Sequence, residues 1–94
     1  MQTIRISGLE EGRAALRAGA RVLLPVEAGG AAWAAEIARI LRAEFPEASV
    51  AADCGTSAGA AMAALREGLS EIGFDGAAEI AAKLEAMGAK VRRG

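Results

Sequence analysis

Polar and apolar residues alternate over positions 3–7, with Ile4 and Ile6 set between Thr3, Arg5 and Ser7, which is the period of a half-buried strand. Ser7 and Glu10 stand at capping-box spacing, and Leu9, Leu16 and the alanines between them predict a short helix ending at Gly19. Residues 21–26 form a continuous apolar run opened by Arg21, the kind found in strands buried on both faces. Gly29 and Gly30 break it. Over 31–45, Trp33, Ile37, Ile40, Leu41 and Phe45 recur at helical spacing, with Glu36, Arg39, Arg42 and Glu44 mostly opposite, and Pro46 stops the helix. Further strands are predicted at 49–53, 71–75 and 89–93, and further helices at 60–67 and 77–87, closed by Gly68 and Gly88.

One motif recurs at three of the helix ends. A helix-final Leu (Leu16, Leu65, Leu84) is followed by a glycine (Gly19, Gly68, Gly88) and then by a strand. A glycine that takes the left-handed conformation just past a helix is the usual way to turn into a parallel strand. The predicted architecture is therefore a small α/β fold, an open parallel sheet of four or five strands with helices packed on it. No linker interrupts the repeated βα units, so residues 1–94 are read as a single domain.

Composition narrows this picture. The chain is 53% hydrophobic, but 25 of its 94 residues are alanine, and Leu, Ile, Val and Phe together number only 20. A core of small side chains buries little area per residue, which makes self-association as a homodimer an expected remedy. The edge strands, and Trp33 and Phe45 on the longest helix, are the expected contacts. Formal charge is −1, giving no electrostatic footprint for nucleic acid, and the tail basic residues Lys90, Arg92 and Arg93 are too few for a binding arm. The longest uncharged run, 54–65, falls far short of the roughly 20 residues of a membrane span. There is no His, no Tyr and one Cys, which excludes a Ser-His-Asp triad, a Cys-His dyad, a CxxC pair and an internal disulfide. A lone thiol without a leader-like segment leads to the expectation of a cytoplasmic protein. No cofactor or metal motif is present.

Ligands of open parallel sheets bind beyond the carboxyl ends of the strands. Those ends are Ser7, Glu27, Asp53 with Cys54, and Asp75, so three carboxylates and the only thiol are expected along one edge. Each is followed by a glycine-bearing turn: Gly29 with Gly30, Gly55 with Gly59, and Gly76. Such acids can hold Mg²⁺ or serve as acid and base, or they cap the next helix. In the turn 54–57, backbone amides at a helix start, with the hydroxyls of Thr56 or Ser57, offer a place for a small anion. The predicted ligand-binding set is thus Glu27, Gly29, Gly30, Gly55, Thr56, Ser57 and Gly76, with Asp53, Cys54 and Asp75 as candidate catalytic groups. The leading functional reading is a non-catalytic module that binds a small ligand or self-associates. The alternative is a small enzyme acting on a phosphorylated or carboxylated metabolite.

The run 16–24, the segment 42–50 around Phe45 and Pro46, and the Gly55-Thr56 pair resemble a segment of the phosphogluconate-type keto-deoxy sugar-acid aldolases. The resemblance implies βα-barrel-like units and a phosphorylated sugar-acid ligand. It carries over no catalytic residue, because Lys83 lies in mid-helix and Lys90 opens a strand where the family's Schiff-base lysine ends one.

Overall fold

The computed structural model describes residues 2–93. Five strands and four helices alternate: β1 (Thr3–Arg5), α1 (Leu9–Arg17), β2 (Arg21–Pro25), α2 (Val26–Glu44), β3 (Val50–Asp53), α3 (Ala58–Arg66), β4 (Glu71–Gly73), α4 (Ala78–Ala86) and β5 (Lys90–Arg92). All pairings are parallel and the order across the sheet is β1-β2-β3-β4-β5. The α/β fold predicted from the periodicity is the fold observed.

The three Leu-Gly junctions behave alike. Gly19, Gly68 and Gly88 take φ of +82°, +97° and +99°. After each, the next amide bonds back to a carbonyl five residues earlier: Ala20 to Ala15, Leu69 to Ala64, Ala89 to Leu84, all at 3.0 Å. That is the Schellman closure, and Ala20, Leu69 and Ala89 are each buried as the chain enters the sheet.

Sequential order has a consequence for the sheet's two faces. Right-handed crossovers between neighbouring parallel strands place every helix on the same side, and α1, α2, α3 and α4 touch one another in that sequence. One face therefore packs Ile4, Val22, Leu24, Val50, Ala52 and Ile72 against helix alanines such as Ala34, Ala38, Ala61, Ala64 and Ala81. The opposite face, carrying Thr3, Arg5, Arg21, Leu23, Asp53, Gly73 and Arg92, has no helix over it. The expectation that 21–26 is buried on both faces is corrected here: β2 alternates, with Val22 and Leu24 fully buried and Leu23 and Pro25 only half-buried.

Three local expectations also shift. Val26 is the first residue of α2 and not the last of a strand, and the glycine break is a kink inside α2 at Gly30 (φ +87°, ψ 167°). Glu27 consequently sits in the first turn of a helix. The cap of α1 uses Glu11, not Glu10: Gly8 occupies the N-cap, so Glu11 is the third helical residue, and it accepts from the Ser7 amide at 3.2 Å and from the Ser7 hydroxyl. Ser57 caps α3, which starts at Ala58 and not at Ala60, its hydroxyl accepting from the Ala60 amide at 3.1 Å. No helix among the described residues is long and apolar enough to cross a membrane.

Candidate functional site

Parallel strands all end at the same edge, and the turns leaving them enclose a cleft of about 590 Å³. Seven of the residues expected at that edge line it together: Glu27, Asp53, Cys54, Gly55, Thr56, Ser57 and Asp75. Gly29, Gly30 and Gly76 do not. Gly29 and Gly30 form the exposed kink of α2. Gly76 makes room for a neighbour, since a Cβ there would meet the Phe74 ring at 2.4 Å.

Asp53 is committed to structure. One carboxylate oxygen accepts from the Gly55 amide at 3.1 Å, closing the turn after β3, and the other is ion-paired with Arg5 from β1. Arg5 reaches it across β2, because Thr3, Arg5, Leu23 and Asp53 share the helix-free side of the sheet. Gly55 turns with φ +55°, and its carbonyl accepts from the Asp75 amide at 2.7 Å, tying the exit of β4 to the exit of β3. The amides of Ala58 and Gly59, in the first turn of α3, have no intrahelical carbonyl to bond.

Cys54 lies under this turn, only 6% exposed, with Sγ 3.8 Å from the Ala52 carbonyl. Burial, and then the charge of Asp53, push its thiol up to about 11. At neutral pH it is a protonated thiol, chemically quiet.

The cleft mixes signs. Arg5, Thr56 and Ser57 line it together with three carboxylates, Glu27, Asp53 and Asp75. Among the described residues no three His, Cys, Asp or Glu side chains come together as a metal-binding group. Arg5, Val26 and Ala60 line the cleft as well and were not flagged by the sequence; Arg5 is the charged one of the three. Its signal was position, because it shares the outward parity of Asp53 on a strand two places away. Comparison with protein-family models and with curated proteins found no match to this chain.

Proposed function

We propose that the chain is a non-catalytic binding module that takes a small metabolite bearing both an acidic and an amino group in the cleft at the carboxyl edge of the sheet. The observation that supports this reading most is the pairing of opposite chemistries in one cleft of about 590 Å³. The acidic group suits Thr56, Arg5 and the positive amino end of α3. The amino group suits Glu27 and Asp75, whose charges would repel a simple anion. The protonated, buried Cys54 weighs against the alternative of a thiol enzyme. A cytoplasmic location suits a single reduced thiol.

Amide NMR of the whole chain tests this with glycine, acetate and methylammonium as probes. Glycine is expected to move the amides of 55–59 together with those of Glu27 and Asp75, and Thr56→Val or Glu27→Gln is expected to weaken it. Equal responses to glycine and acetate, or no response at these amides, would refute it.

The same reading includes self-association as a homodimer through an open sheet edge, since β1 and β5 each pair on one side only. Trp33 and Phe45 are half-buried within the fold, and Met87 is the large apolar residue that stands exposed among the described ones. Light scattering checks this: a mass fixed at 9.5 kDa across a hundredfold concentration range would rule the dimer out.

A further inference from the structure

The helix-free face gathers arginines from strands far apart in the sheet. A groove of about 560 Å³ crosses it, floored by Leu23 and Gly73, with Arg5 and Arg21 on one flank and Arg92 and Arg93 on the other. Two carboxylates, Asp53 and Asp75, line it as well, which leaves the lining with a formal charge of +2. Asp53 is already held by Arg5.

Towards the amino ends of the strands the imbalance repeats. Glu71 accepts from Arg92 at 2.6 Å, from Arg42 at 3.1 Å and from the Ser49 hydroxyl at 2.9 Å. Arg42 also bonds the Val50 carbonyl at 2.9 Å, so it is fixed in place. One carboxylate thus sits among guanidinium groups. Burial lowers the affinity of Arg92 for its proton; Glu71 opposes that, and the nearby charges of Arg21 and Arg42 add to it. Arg21 and Arg92 stand on strands three apart in the sheet, and both line the groove. Arg21 has no hydrogen bond or ion pair with any side chain among the described residues.

We propose that this groove binds a small dianion of the phosphate-monoester class, held between Arg21 and Arg92, with Arg5 and Arg93 at its rim. A guanidinium presents donors in a planar fork that matches two phosphate oxygens. A dianion also cancels the local excess of two positive charges, which a monocarboxylate would only halve. The floor is small and partly apolar, and the groove's volume accommodates the short carbon skeleton of a phosphorylated metabolite but not a folded partner. The groove shares Arg5, Asp53 and Asp75 with the carboxyl-edge cleft and differs from it in Arg21, Arg92 and Arg93.

Amide NMR and calorimetry on the full chain at pH 7.5 and fixed ionic strength test it, with inorganic phosphate and glycerol 3-phosphate as ligands and succinate as the dicarboxylate control. Saturable shifts confined to 21–23, 71–73 and 90–93 are expected, with glycerol 3-phosphate binding more tightly than succinate. Arg21→Ala is expected to weaken binding at least tenfold while leaving the melting temperature within a degree or two, because Arg21 is exposed and supports no other residue. Arg21→Lys is expected to recover part of the loss. The proposal fails if the shifts fall at 55–59 instead, if succinate binds equally, if Arg21→Ala changes nothing, or if a single-stranded RNA oligomer binds where phosphate does not.

Discussion

The two faces of this sheet are built from the same five strands, yet they follow opposite rules. On the covered face the strands contribute Ile, Val, Leu and Ala, every residue from Val22 to Ile72 in that row is buried, and the helices answer with alanines. On the bare face the same strands present Thr3, Arg5, Arg21, Asp53, Glu71 and Arg92, with ion pairs joining Arg5 to Asp53 and Arg92 to Glu71. All-parallel sheets are normally covered on both sides. Here charge takes the place of a second helix layer. Stability is therefore expected to reside mainly on the covered side, and the proposed phosphate site lies on the other. Substitutions that cross between the faces test that division.

The largest effect belongs to the covered side. Leu41 is fully buried on α2, and a Cβ on Gly12 of α1 would lie 2.7 Å from its Cδ1, so the two helices pack tightly there. Leu41→Ala leaves a void that alanine neighbours cannot fill, and a loss of about 3 kcal/mol is expected in chemical unfolding. In a core with so few large side chains this is a substantial part of the total. A loss below about 1 kcal/mol would mean that the covered face is not where stability resides.

Cys54 comes next, at the end of the covered side. Its thiol is pushed up to about 11 in the fold from an ordinary value of 9.0. The unfolded chain therefore releases this proton first as pH rises. The contribution to stability is fully present below pH 9 and is lost between about pH 9 and 11, amounting to about 2.7 kcal/mol. Urea midpoints measured across that window should fall for the native chain and less for Cys54→Ala. Alkylation at pH 8.5 should be slow until denaturant is added.

Much of the covered face was legible in the sequence, and the bare face was not. The Leu-Gly junctions fix both where each helix stops and that a buried residue follows, because only a left-handed residue allows that reversal and the sequence shows it as glycine. Strand-end acids were legible for the same local reason, and seven expected residues do line one cleft. Strand order, by contrast, is a property of the whole chain. Without it the outward parity of Arg5, Arg21 and Arg92 reads as scattered surface charge, and the long apolar run at 21–26 reads as buried twice. The misplaced α1 cap shows the limit at the smallest scale: Gly8 in place of Ser7 at the N-cap moves the partner from Glu10 to Glu11.

Glu71 probes the bare face directly. Its side chain is 13% exposed and holds Arg42, Arg92 and Ser49 at once. Glu71→Gln keeps the shape but removes the negative charge among the guanidiniums, and a loss of about 1.5 kcal/mol is expected in thermal unfolding. The loss should shrink as salt screens the remaining like charges. A loss as large as that of Leu41→Ala would erase the distinction between the faces.

The smallest effect should come from the floor of the bare groove. Gly73 sits in β4, and a Cβ there would lie 3.4 Å from the Ala52 carbonyl oxygen and 3.7 Å from Leu23 Cδ2, which is ordinary contact. Gly73→Ala therefore adds no clash, lowers the entropy of the unfolded chain, and covers a little apolar surface. Those terms place the change within about 0.5 kcal/mol of neutral, on the stabilising side. The same methyl occupies groove space between Arg21 and Arg92, so phosphate binding should weaken while the melting temperature holds or rises. That combination separates recognition from stability on one face with one atom. A Gly73→Ala chain that melts several degrees lower would instead show that the bare face is packed as tightly as the covered one.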